Sequence, residues 1–289
     1  MKRTLRRVAL APLRLTLQAA GRVYVPGADL EDALRVGRRF AQPGASCTLG
    51  YFHPPDEHPA HVADIDRRIV DAMASLEPPG YVSIKAPALG YDPALVTHIV
   101  ADAMRAGMLA HFDSHEHHTA EPTLACVRQA VAAGARVGLT LPGRWRRSPD
   151  DAAEVAALGI RARVVKGEWG DPGDPGHDAR RGFLDVIAQL AGRSAEVAVA
   201  THDPGLAGEA IGRLQAAGTA CTLELLHGLP RREMLALAKA RAVPVCLYVP
   251  FGIAWRPYAL RKAAANPRIL AWVVRDAVCG ALATVRRRG

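Results

Sequence analysis

One rhythm constrains this chain more than any other feature. Eight times a short apolar run is followed by a polar or Gly/Pro turn and then by an Ala-rich stretch with apolar spacing near the helical period. The runs are Cys47–His53, Tyr81–Ala86, Met108–Asp113, Ala135–Leu141, Arg161–Lys166, Val197–His202, Ala220–Leu226 and Val243–Val249. The stretches between them, predicted as helices, are Ala63–Ser75, Pro93–Ala106, Glu121–Ala133, Asp150–Leu158, His177–Ala191, Pro204–Ala217, Arg231–Ala240 and Arg256–Ala265. Eight strand–helix units of about thirty residues each predict a (β/α)8 barrel. A doubly wound sheet gives the same alternation but more often stops at five or six strands, and no GxGxxG opens a helix after the first run. A further helix is expected over Asp29–Phe40, with Asp29 as its N-cap, and a basic amphipathic leader over residues 1–26. The domain division expected from this is a helical leader over 1–42 and a barrel over 43–289.

In a barrel of this kind the active site lies at the C-terminal ends of the strands. Those ends carry His53, Lys85, Asp113 with His115, the Thr140–Leu141 turn, Arg163 with Lys166, Thr201-His202-Asp203, Glu224 with His227, and Tyr248. Thr201 and Asp203 read equally well as helix caps. Lys85 and Lys166 do not, because a helix N-terminus disfavours cations. The chain holds 32 arginines and only five lysines, so arginine is its ordinary surface cation. A lysine in an apolar run therefore points to a task for a compact, titratable ammonium. After the last run, Tyr258, Arg261 and Lys262 fall on one face of a predicted helix, a receptor for a carboxylate.

The net charge is +9, with much of the excess at the two ends of the chain: Lys2, Arg3, Arg6, Arg7 and Arg14 at one, Arg286 to Arg288 at the other. Aromatic residues are few and no nucleic-acid motif is present, so no nucleic-acid partner is expected. An anionic membrane surface suits the same charge. The five cysteines form no CxxC pair, no apolar run has transmembrane length, and no signal-peptide core is apparent. A reduced, cytoplasmic protein is expected, with the inner face of the membrane within its reach.

Assembled in order, these residues resemble the proline dehydrogenase family, from about Tyr24 to Val274. The motifs are Tyr-Val-Pro-Gly-Ala-Asp-Leu-Glu-Asp-Ala-Leu (24–34), Val-Ser-Ile-Lys-Ala-Pro-Ala-Leu-Gly (82–90), Asp113, Arg-Val-Val-Lys-Gly-Glu-Trp (163–169), Ala-Thr-His-Asp (200–203), Leu-Leu-His-Gly-Leu (225–229), Tyr-Val-Pro-Phe-Gly (248–252) and the Trp255–Lys262 segment. The resemblance implies a flavin-dependent barrel that oxidises proline, or a related cyclic or N-alkyl amino acid, to its imine, with FAD as cofactor. It implies that Lys85, Arg261 and Lys262 hold the substrate carboxylate, that Asp113 aims Lys85, and that Tyr248 and Tyr258 wall a small ring. For the cofactor it implies Arg163 beside the flavin N5, Lys166 and Gly167 at the pyrophosphate, Trp169 over the adenine end, Thr201 and His202 along the ribityl and phosphate region, and His227 nearby. It also implies a membrane quinone as electron acceptor. The chain departs from the family pattern at Gly50, Gly138, Thr222, Glu224, Cys246, Ile253, Lys262 and Ala265, all around one expected pocket.

Three other readings follow from the same residues. Histidines 53, 111, 115, 117, 118, 202 and 227 with Asp113 suggest a metal-dependent hydrolase on the same barrel, although residues 116–118 read as a solvated loop. The departures around the carboxylate site suggest a non-catalytic binding protein. A Schiff-base lyase would use Lys85 or Lys166, but Asp113 opposes the lowered lysine pKa that this chemistry needs.

Overall fold

The computed structural model describes residues 27–78 and 80–254. Eight parallel strands close into a barrel in sequence order: β1 (Ala45–Tyr51), β2 (Tyr81–Ile84), β3 (Leu109–Phe112), β4 (Val137–Pro142), β5 (Arg161–Val165), β6 (Glu196–Ala200), β7 (Ala220–Leu226) and β8 (Val245–Phe251). Helix α1 (Leu30–Phe40) precedes the barrel and packs against β1 and β8. The strands are then joined by α2 (Pro59–Met73), α3 (Pro93–Arg105), α4 (Ala120–Ala132), α5 (Ser148–Ala157), α6 (Ala179–Leu190), α7 (Pro204–Ala216) and α8 (Arg232–Ala240). The eightfold rhythm thus corresponds to a (β/α)8 barrel. The helix expected over Arg256–Ala265 and the leader over residues 1–26 lie outside the described residues.

The element boundaries differ from expectation where capping overrides the apolar pattern. Helix α2 starts a turn early, because Pro59 occupies a first-turn position and the His58 ring accepts from the Ala60 N–H. Asp29 does stand at the N-cap of α1, but its side chain makes no capping bond. Asp203 caps α7 by accepting from Leu206 N–H, and Thr201 accepts from Asp203 N–H. Strand β8 runs on through Pro250 and Phe251, since its pairing with β1 continues to Tyr51↔Phe251.

Strand side chains alternate between two faces. The outward set, including Leu49, Val82, Ile84, Phe112, Leu141, Val164, Val199, Leu225 and Val249, packs under the helices as the hydrophobic core. Phe112 and Ile84 are fully buried there. Burying one such side chain is worth about 1.5–3 kcal/mol. The inward set is of another kind. Thr48, Tyr81, Ser83, His111, Thr140, Arg161, Arg163 and Glu224 are all buried within the barrel wall. Barrels of this type usually fill that space with branched aliphatics. Among the described residues the cysteines are free, and no helix is long and apolar enough to cross a membrane.

Candidate active site

Most of the polar interior is one connected set of hydrogen-bonded and ion-paired side chains running across the barrel. It starts on β5. Arg161 Nε donates to Glu196 at 3.0 Å, and its Nη2 reaches Glu224 at 3.4 Å. Arg163, two residues on and on the same face, donates from Nη1 to Glu224 at 3.0 Å and to the Tyr81 hydroxyl at 3.1 Å. Tyr81 in turn donates to Glu224 at 2.6 Å. The other end of the Arg163 guanidinium donates to Asp113. Asp113 also accepts from Ser83 Oγ at 2.7 Å and from the Tyr248 hydroxyl at 3.4 Å, and its carboxylate lies 3.8 Å from Lys85 Nζ. Ser83, Tyr248 and Lys85 thus face one and the same Asp113 oxygen, Oδ2.

Buried ions are expensive unless they are paired and hydrogen-bonded. Burial pushes the Asp113 carboxyl up, but Arg163, Lys85 and Ser83 outweigh it and hold its pKa below the ordinary value. Burial likewise works against the Lys85 ammonium, and Tyr248, Asp113 and Asp66 overcome it, so Lys85 stays charged. That outcome opposes a Schiff-base role for Lys85, which requires a free amine. Asp66, on α2, has the reverse fate. Burial drives its pKa up to about 7, with Asp113 adding to the rise and Lys85 opposing it.

The imidazoles expected at the rim diverge. His111 Nε2 faces Thr140 Oγ1 at 2.9 Å inside the barrel. His115 stacks on Trp169 with ring centroids 5.4 Å apart. His117 is half-buried and edge-on to Trp145, whereas His118 and Glu116 are exposed. The loop is therefore solvated at Glu116 and His118 only. Among the described residues no group of three or more His, Cys, Asp and Glu side chains is placed to hold a metal. His202 is held by backbone on both sides: its Nδ1 faces Pro230 O at 3.0 Å, and its Nε2 faces the Leu226 N–H at 2.9 Å. A proline carbonyl can only accept, so Nδ1 carries the proton and Nε2 accepts. Burial lowers His115 to about 4, and burial with Arg231 lowers His227 to about 4, so both are neutral near pH 7.

On the β5–β6 side of the mouth, Lys166 Nζ lies 3.2 Å from Asp203 with its side chain 42% exposed. Arg180 shares that carboxylate at 3.4 Å. Gly167 has φ +90°, and its carbonyl accepts from Arg144 Nε at 3.2 Å. Trp169 is anchored through its carbonyl, which accepts from Trp145 Nε1 at 3.0 Å.

Of the residues expected at the site, Lys85, Asp113, Tyr248 and Arg163 converge on one cluster. Lys166, Gly167 and Trp169 form a separate run on the rim, where Thr201 and His202 serve local loop structure. Tyr258, Arg261 and Lys262 lie outside the described residues. Tyr248 differs from the expected apolar wall in that its hydroxyl enters the ionic cluster. Tyr81, Ser83, Arg161 and Asp66 join the cluster without having been anticipated. The alternation in Tyr-Val-Ser-Ile-Lys placed Tyr81 and Ser83 on the same strand face as Lys85, and that signal was available in the sequence.

Together these features define a (β/α)8 barrel with an ionised interior and a buried ammonium at its mouth. In sequence the chain is similar to proline dehydrogenases, at a divergent level. It is 24% identical over 272 residues to proline dehydrogenase 1 of Bacillus subtilis (strain 168), covering 88% of this chain and 89% of that one. It is 25% identical over 278 residues to the proline dehydrogenase of Deinococcus radiodurans, covering 89% of each. No family model matches. Among solved structures, proline utilization A from Bdellovibrio bacteriovorus, inactivated by N-propargylglycine, superposes with a TM-score of 0.73 at 12% identity over 88% of this chain. A variant of proline utilization A from Bradyrhizobium japonicum gives 0.69 at 19% identity over 96%. These likenesses show the fold, and this chain spans 33% and 36% of those two solved chains.

Proposed function

We propose that this protein is an FAD-dependent dehydrogenase that oxidises proline, or a related cyclic or N-alkyl amino acid, to the corresponding imine, 1-pyrroline-5-carboxylate in the case of proline. The observation that carries this reading is the buried Lys85 ammonium, kept charged by Asp113 and Tyr248 and lying 5.0 Å from the Phe52 ring centroid. A fixed cation beside aromatic faces suits a small ring bearing a carboxylate. The kinship with proline dehydrogenases supports the same reading.

The residues present fit the cofactor. Arg163 Nε and His227 Nδ1 are buried and have no hydrogen-bond partner among the described residues, so each retains hydrogen-bonding capacity. Lys166, Arg180 and Arg213 pair with two carboxylates, Asp203 and Glu209, so this network carries one positive charge in excess for a diphosphate. Trp169 supplies an aromatic plane. In this reading Arg163 would hold the flavin near N5, Lys166 and Gly167 would hold the pyrophosphate and Trp169 would cover adenine, with Thr201 and His202 along the ribityl and phosphate region and His227 nearby. When bound, the flavin supplies the acceptor for a hydride from the carbon beside the substrate nitrogen. The protein's own part is placement: Lys85, with Arg261 and Lys262, holds the carboxylate, Asp113 fixes Lys85, and Tyr248 and Tyr258 bound the ring. An amine that arrives neutral needs no strong acid or base from the chain. We divide the chain into a leader over 1–42, whose helix α1 packs on the barrel, and the barrel unit 43–289; the basic residues Lys2, Arg3, Arg6, Arg7 and Arg14 of the leader suit an anionic membrane surface, where a quinone would take the electrons.

Lys85→Ala tests the assignment. Asp113 retains Arg163 and Ser83 as partners, so the variant should fold. Its KM for proline should rise about tenfold or more, as expected for loss of a charge-assisted contact. Unchanged KM and kcat would remove Lys85 from the site.

A further inference from the structure

Gly50 lies on β1, in register with Pro250 on β8, and its surroundings leave no room for a side chain. A Cβ there would stand 1.9 Å from the Tyr248 hydroxyl oxygen and 2.4 Å from the ring carbon that carries it. The phenol from β8 thus crosses the face of β1 and fills the volume that any other residue at position 50 would occupy. From that place its hydroxyl donates to Asp113 Oδ2 at 3.4 Å, the same oxygen that lies 3.8 Å from Lys85 Nζ, while the Arg163 guanidinium lies 5.4 Å from its ring centroid. The backbone of Gly50 is part of a regular strand, so what is required of glycine here is the missing Cβ and not a special conformation.

We propose that Gly50 is a positioning residue: by carrying no side chain, it seats the Tyr248 hydroxyl on the same Asp113 oxygen that faces Lys85, and this arrangement fixes where the Lys85 ammonium points. The proposal rests on the functional reading above only for the identity of the ligand that Lys85 receives. The seat itself follows from the packing.

The charged and titratable groups facing Lys85 come from three parts of the fold: Tyr248 on β8, Asp66 on α2, and Asp113 with His115 in the loop after β3. A hydrogen bond to the charged form favours that form. Removing the hydroxyl from this group should therefore let Lys85 lose its proton at lower pH. It should also weaken binding of a carboxylate more than it slows turnover.

The test uses the full chain as purified, with Gly50→Ala, Tyr248→Phe and the double variant. The first readout needs no enzymatic activity. Trace acetylation of lysines over a range of pH, quantified by peptide mass spectrometry, gives the pH at which each amine becomes reactive. Lys239 on α8 serves as the internal reference. Access to the reagent scales the Lys85 rate, whereas only a change in its proton affinity moves the profile along the pH axis. The profile should move to lower pH in both single variants, and the double variant should move no further than the larger of the two. The KM for proline should rise about tenfold with kcat changed less than about threefold. If Gly50→Ala does not fold, Tyr248→Phe carries the test alone, because it removes one oxygen and adds no bulk. An unmoved Lys85 profile in Tyr248→Phe, or in a folded Gly50→Ala, overturns the proposal. A chain that oxidises no proline in any form would sink the functional reading, and the labelling profile would still decide this one.

Discussion

The two faces of the sheet follow opposite rules. Outside the barrel, Ile84, Phe112, Val164 and Val199 are held by apolar burial, which is non-directional and tolerant of exchange between similar shapes. Inside, Arg161, Arg163, Glu224, Asp113 and Lys85 are held by partners at fixed distances, so the loss of one member strands a charge. The outer face therefore supplies stability, and the inner face turns part of that stability into a fixed arrangement of charge at the mouth. The same strands serve both ends, because their residues alternate faces.

The contrast can be broken most sharply at Glu224, which serves Tyr81 and both arginines. Glu224→Gln keeps the shape and removes the charge, and denaturant unfolding should show a loss of about 3–5 kcal/mol. A loss under about 1 kcal/mol would mean that the interior ions are not coupled in this way.

Asp66 should give the next largest effect, and one with a definite pH signature. Its pKa rises from 3.8 to about 7 in the fold, so the folded protein binds its proton more tightly than the unfolded chain does. Its contribution to stability is therefore fully present below about pH 4 and is lost as pH rises toward 7. Asp66→Asn should flatten that fall, which amounts to a few kcal/mol at about 1.4 kcal/mol per unit. An unchanged slope of unfolding free energy between pH 4 and 7 would contradict the assignment.

On the outer face, Ile84→Val should cost only about 0.5–1.5 kcal/mol in the same denaturation experiment. Arg128 pairs with Glu121 and Glu154 on the exposed surface, and Arg128→Ala should change stability by no more than about 1 kcal/mol, less at high salt.

The apolar face of this fold was legible from the sequence, because runs such as Val243–Val249 and their helical partners recur with the right period. Strand ends pointed to Lys85, Asp113, Arg163 and Tyr248 for the same reason. Their mutual partners were less legible. The pairing of Arg163 with both Asp113 and Glu224 joins β5, β3 and β7, and no sequence spacing encodes a contact across a barrel. Asp66 lies within the expected helix Ala63–Ser75, but helical spacing does not announce that a carboxylate on its buried face acts on Lys85 and Asp113 at the strand ends. The use of Gly50 and Gly138 was also invisible in the sequence. Each accommodates a ring from a neighbouring strand, Tyr248 in one case and His111 in the other, and a glycine in a strand does not announce what fills its place.

The most direct measurement is the visible absorption spectrum of the purified protein, supplied with FAD, before and after anaerobic addition of proline. A flavin band that bleaches on addition is the predicted result. It would join the charged cluster at the mouth to amino-acid oxidation. The absence of any bound flavin band would contradict the account at its centre. A band that proline, N-methyl amino acids and ring-size analogues all leave unchanged would do the same.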